Sequence, residues 1–196
     1  MMARFKRLMS RIHAAIQRFE KSERGVAAIE FALLAPPFFL ILGVIMETGL
    51  MLFSEYTIQE SVQEAARLVR TGQVQAASMT ATDFRNKICN TVSVIVNCTT
   101  GVTIYVRSDA NFQTLSSNLP NILTVGPSIN NSPSAPTCYN PGLASQPAAV
   151  IATYDWNFNM LGMSYMGNIA SNSARRLVGL AIFQNEPFPT NGSTTC

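Results

Sequence analysis

Between Phe31 and Phe53 the chain carries one charged side chain, Glu47. At about 1.5 Å per residue a helix over this stretch spans roughly 35 Å, enough for a tilted bilayer crossing. A second carboxylate, Glu30, stands at the mouth of the stretch, five residues past Gly25. An ionised acid at bilayer depth costs on the order of 3 kcal/mol, so Glu30 needs either a partner or hydrated headgroups around it. Gly25 supplies the sharper reading. If a peptidase cuts after it, the new α-amine of Val26 becomes a fixed cation one helical turn from Glu30, able to pair with the same acid or with a neighbour's.

The run Arg24-Gly25-Val26-Ala27-Ala28-Ile29-Glu30-Phe31, followed by Ala32-Leu33-Leu34-Ala35-Pro36, resembles the processing site of type IVb prepilins. More narrowly, it resembles the TadE-like pseudopilins of the tight-adherence (Flp) pilus machinery. Ala65-Ala66-Arg67 with Gly72 is similar to that family's continuation of the helix, so the resemblance is strongest over residues 24–72. It implies cleavage between Gly25 and Val26 by a membrane prepilin peptidase and an assembly role for Glu30 and Phe31. It also implies partners among other pilins or pseudopilins and an inner-membrane pilus platform. The implied fold is α+β and pilin-like: a long N-terminal membrane-spanning helix packed on a small antiparallel sheet.

Charge divides the chain at the same place. Residues 1–25 hold seven Lys and Arg against Glu20 and Glu23, a balance of +5, whereas residues 26–196 hold seven basic and nine acidic side chains, a balance of −2. The excess of base is therefore a property of a leader and gives no support for nucleic-acid binding by the rest. By the positive-inside rule the N-terminus stays cytoplasmic, and the chain beyond Phe53 crosses to the other side, the periplasm of a bacterium. The apolar run is longer than a secretory signal core and the expected cut lies before it, so the mature chain keeps its anchor in the inner membrane. Within the leader, Phe5, Leu8, Met9, Ile12, Ile16 and Phe19 recur at helical spacing among basic residues. That pattern fits a basic amphipathic helix on the membrane surface or a basic tail.

All four cysteines, Cys89, Cys98, Cys138 and Cys196, lie beyond the apolar run, where an oxidising compartment favours disulfides. Three pairings are possible. Cys89 with Cys98 closes a short loop and leaves Cys138 with Cys196. Zinc is disfavoured because no Cys-x-x-Cys spacing exists and the sole histidine, His13, lies in the leader.

Three segments are expected: a leader over 1–25, a helix over 26–72 with its membrane part at 31–53, and an α+β domain over 73–196. Pro36-Pro37 removes two backbone donors and predicts a kink. Beyond Phe53, Ile58, Val62, Ala65 and Val69 mark one buried stripe, and Arg67, Arg70 and Gly72 suit a helix end. Ala28, Ala32 and Gly43 permit close helix approach or are ordinary apolar filling. A second helix starts near Thr80, with Asp83 where a capping box prefers Glu.

Val92 to Val96 alternates like a strand, yet Phe84, Ile88, Val92 and Ile95 fit a helical face. A Cys89–Cys98 bridge would exclude one straight strand there, because bridged Cα atoms lie within about 7 Å. Strands are expected at Val102–Arg107, Ala149–Trp156 and Leu177–Phe183. Between them, residues 108–147 read as a long polar loop, with Ile122–Val125 as a short strand inside it.

Catalytic chemistry is sparse. Past residue 25 there is no histidine and a single lysine, Lys87, and no phosphate-loop or dinucleotide fingerprint appears. Asp155 and Glu186 are the one imaginable carboxylate pair. The expectation is thus no enzyme, no cofactor and no metal, but a structural minor pseudopilin. The alternative is an uncleaved bitopic scaffold of a secretion or pilus machine, and a third class is a membrane-tethered periplasmic hydrolase.

Overall fold

The computed structural model describes residues 25–92, 96–119, 138–160, 162–169 and 173–189. The first element, α1 (Val26–Arg70), contains both Pro36 and Pro37 and continues through them. The chain divides into two compact units, residues 1–46 and 47–196.

In the first unit no described residue is buried, and Phe31, Leu33, Leu34, Phe38, Phe39 and Ile41 are all exposed. A helix segment that is apolar on every side has no core of its own to face, and this one is a candidate membrane span. Its apolar window is long and hydrophobic enough to cross a bilayer, and none of it is buried.

The second unit is α+β. From Glu47 onward, α1 acquires a buried stripe of Glu47, Met51, Ser54, Ile58, Ser61, Val62, Ala65, Ala66 and Val69, recurring every three or four residues. After α1 come α2 (Gln73–Ala76), α3 (Ala81–Val92), α4 (Cys98–Gly101), β1 (Val102–Ser108), α5 (Phe112–Asn118), β2 (Cys138–Tyr139), β3 (Pro147–Trp156), a 3-10 turn at Met163–Met166, and β4 (Arg175–Gln184). The strands form one sheet in the order β2-β1-β3-β4. β3 pairs antiparallel with both β1 and β4, while β2 pairs parallel with β1, Tyr105 opposite Cys138.

The three expected strands pair antiparallel, and the unexpected two-residue β2 adds a parallel edge that makes the sheet as a whole mixed. A parallel neighbour needs a long return connection, and the stretch read as a loop supplies it. That stretch also contains α5, where the composition predicts only loop. The Asn111 side chain caps α5 by accepting from Thr114 N at 2.8 Å, but only Leu115 on it is buried, so no apolar period announces it. Ile122–Val125 and the densest Pro-Ser-Asn run lie outside the described residues.

Alternation along the strands sends Val102, Ile104, Val106, Val150, Ala152, Leu177 and Ala181 into a cluster with the α1 stripe and with Phe84, Ile88 and Val92 of α3. Tyr105, Ile151 and Cys138 point to the other face, against Leu119, Val178 and Leu180. α3 begins as its sequence predicts. Asp83 Oδ2 accepts from the Thr80 N–H at 3.1 Å and the Thr80 hydroxyl at 2.7 Å, while Thr80 Oγ1 accepts from Asp83 N at 3.2 Å. These bonds to Thr80 hold the Asp83 carboxyl below its ordinary range. At the end of α1, Gly72 sits at φ 75°, the left-handed stop that Arg67 and Arg70 precede.

Two side-chain amides occupy the free edge of β4. Gln59 Nε2 donates to Leu180 O at 3.1 Å while its Oε1 accepts from Leu180 N at 2.9 Å. Asn168 repeats the pattern on Arg176, accepting from its N–H at 2.7 Å and donating to its carbonyl at 3.4 Å. Each amide stands in for a residue of a fifth strand and blunts an edge that would otherwise recruit one.

Paired with Ala152 of β3, Gly179 lets α1 come this close. A Cβ at Gly179 would lie 2.9 Å from both Ile58 O and Val62 Cγ2, and the backbone carbonyl cannot swing aside. Gly179→Val should therefore lower unfolding stability by about 2–3 kcal/mol, as overpacking does. Gly49→Ala, inside α1 and with nothing within 4 Å of the added carbon, should not lower it and should raise it by about 0.5–1 kcal/mol, the helix preference of Ala over Gly. Denaturant titration in detergent micelles, followed by Trp156 fluorescence, reads both.

Candidate processing site and membrane junction

Gly25 has 3-10 geometry and leads directly into α1 at Val26. Val26, Glu30 and Phe31 are all exposed. Positions 26 and 30 are four apart on one helix face, neighbours at about 5–6 Å between Cβ atoms, so an α-amine created at Val26 would start within reach of Glu30. A carboxylate just past the first turn also lies toward the positive end of the helix dipole. The basic residues preceding Gly25 lie outside the described residues.

Glu47 is a buried, hydrogen-bonded carboxylate that the apolar run by itself presents only as a stray charge. It is 7% exposed, and its carboxylate accepts two backbone hydrogen bonds, from Asn159 N at 2.6 Å and Met160 N at 3.0 Å. Two adjacent amides aimed at one carboxylate form a small anion nest, so the acid is satisfied without a cation. A signal for it exists in the chain. Stepping the stripe back from Ile58 by four, seven and eleven gives Ser54, Met51 and Glu47, all three of them buried. The expected membrane part, 31–53, thus overlaps the helix segment that the second unit covers.

The cysteines behave as a framework. Cys89 on α3 and Cys98 on α4 are joined, their Cα atoms 5.6 Å apart, and Arg85 donates to the Cys98 carbonyl beside them. One straight strand from Cys89 to Cys98 is thereby excluded, and α3 carries the helical face as far as Val92; residues 93–95, Ile95 among them, lie outside the described residues. Cys138 is disulfide-bonded as well, and its expected partner, Cys196, lies outside the described residues. The imagined carboxylate pair is otherwise engaged. Asp155 receives a two-pronged bond from Arg176 on the neighbouring strand at 2.7 and 2.8 Å, which raises the guanidinium pKa, and Glu186 pairs with Arg70 at 3.4 Å. Among the described residues no three His, Cys, Asp or Glu side chains gather in a way that would hold a metal ion.

One apolar helix near the N-terminus followed by an α+β domain fits a single-pass membrane protein. Residues 25–67 match the family model described as TadE-like protein, in agreement with the resemblance carried by Gly25, Glu30, Phe31 and Arg67. The match starts at Gly25, ends within α1 and spans less than a quarter of the chain. Comparison with curated proteins gave no match, and neither did comparison with solved structures.

Removing the Glu47 carboxylate strands two amide donors. Glu47→Ala should cost about 2–3 kcal/mol, within the range for hydrogen bonds to charged groups, and Glu47→Gln, which keeps one acceptor oxygen, about 1 kcal/mol. Unfolding in micelles tests the ranking. Equal stability of all three proteins would show that water replaces the carboxylate at no cost.

Proposed function

We propose that this chain is a minor pseudopilin of a tight-adherence (Flp, type IVb) pilus system, with a structural role and no catalytic one. The observation that carries the reading is the family match, which opens on Gly25, the residue after which a prepilin peptidase would cut, and runs along the exposed apolar helix. The exposed apolar helix over residues 26–46 supports it further, because a subunit that leaves the membrane for a filament must exchange lipid for neighbouring helices over its whole circumference. In this reading the leader stays in the cytoplasm, the helix holds the chain in the inner membrane, and the domain faces the periplasm. Its partners are the peptidase, other pilins or pseudopilins, and the membrane platform of the pilus machine.

Glu30 is the assembly residue of the proposal. The α-amine of a processed neighbour neutralises it once lipid headgroups no longer can. Glu30→Gln keeps the size and hydrogen-bonding shape of the side chain and removes only the charge. The variant should insert and be processed at parental levels, since both events precede assembly. Co-purification with partner pilins should fall about tenfold, equivalent to about 1.4 kcal/mol of charge-assisted pairing. Parental co-purification and pilus yield in the Gln variant would remove the assembly role and favour the uncleaved bitopic scaffold.

A further inference from the structure

Residues 157–174 connect β3 to β4 and carry no charged side chain. They contain Phe158, three methionines, Leu161, Tyr165 and Ile169. Of the described ones, Met160 and Met166 are exposed, and Tyr165 is 93% exposed. An uncharged segment of this composition, offering a bare tyrosine and two thioether chains to water, is costly unless something apolar covers it. The same connection holds the two amides, Asn159 N and Met160 N, that bind Glu47. Glu47 is the residue at which the all-round apolar helix gives way to the striped one. Residues 159 and 160 of the connection are therefore pinned to α1 at Glu47, where its buried stripe begins.

We propose that residues 157–160 and 162–169, together with the exposed Leu50 and Phe53 of α1, form an interfacial collar. It seats the second unit on the headgroup layer of the bilayer and buries Tyr165, Met160 and Met166 among headgroups and upper acyl chains. Lipid-exposed irregular backbone is excluded from hydrocarbon. The tether to Glu47 consequently sets the outer edge of the hydrocarbon near residue 46, and the span becomes 26–46, about 30 Å of helix. A boundary at Phe53 would submerge the connection about 9 Å too deep. A tyrosine is the side chain expected at this level, with its ring among chains and its hydroxyl in water. Glu47, held by two amides, needs no cation to rest there. The collar requires the anchor but is independent of cleavage at Gly25 and of pilus assembly.

The test uses the full chain in vesicles of phosphatidylethanolamine and phosphatidylglycerol, with bromine placed at the headgroup end of the acyl chains. Trp156 is replaced (Trp156→Phe), and a single new tryptophan is introduced by Tyr165→Trp or, as the marker of the span, by Phe39→Trp. Both new positions are exposed, so neither substitution disturbs a packed core. The collar predicts that brominated lipid lowers the emission of the tryptophan at position 165 at least about twofold, and that vesicles cut its quenching by aqueous acrylamide about as much. Quenching at position 39 with none at 165 would overturn the collar while leaving the anchor standing. Shielding of position 165 from acrylamide without quenching by brominated lipid would also overturn it and assign the surface to a protein partner. Absence of lipid quenching at both positions would overturn the collar and the anchor together.

Discussion

The contact on which this structure depends is the seating of residues 47–69 of α1 against the sheet at Gly179. A strand with a side chain at that row would hold the helix off by the width of a methyl group. Without one, Ile58 and Val62 reach the floor formed by Ile104, Ala152 and Leu177, and Gln59 reaches the backbone of Leu180. The same approach closes the core and covers an open sheet edge. α3 adds Phe84, Ile88 and Val92 to the cluster, and its disulfide to α4 fixes the chain where it enters β1. The small residues at Ala152 and Gly179 are thus as necessary to the packing as the large ones.

One helix consequently serves two solvents. From Phe31 to Met46 its side chains are apolar around the full circumference and unburied; from Glu47 one face becomes a buried stripe, while Leu50, Leu52 and Phe53 stay exposed and the outward side turns mostly polar only beyond Tyr56. The change of pattern falls on a carboxylate, an unsuitable residue for either environment unless hydrogen-bonded, and two amides from the β3–β4 connection supply the bonds. The buried stripe that packs in the domain begins at Glu47, and the described residues before it are unburied.

Much of this is legible in the residues. The apolar run, the stripe from Ile58 to Val69, the Thr80–Asp83 cap, the left-handed Gly72 and three of the four strands each carry a local signal of pattern or turn chemistry. The elements that escape a reading of the sequence lack such a signal. α5 buries one side chain, and β2 is two residues long, held by its ladder to β1 and by the packing of Tyr139 against Phe84. Its parallel direction arises from where the chain returns, a non-local fact that no window of sequence contains. Glu47 is half legible: the heptad-like spacing reaches it, but its charge argues against burial until the amides of residues 159 and 160 are in view. The likeness at Gly25, Glu30 and Phe31 carries the proposed role of the helix while saying nothing of the domain it bears.

The central claim is that α1 begins as a processed N-terminus. Intact-mass analysis of the protein extracted from membranes of cells with an active prepilin peptidase tests it most directly. The account predicts a chain that starts at Val26, with residues 1–25 removed. A population consisting only of chains that begin at Met1 or Met2 would contradict it and leave the helix a permanent anchor.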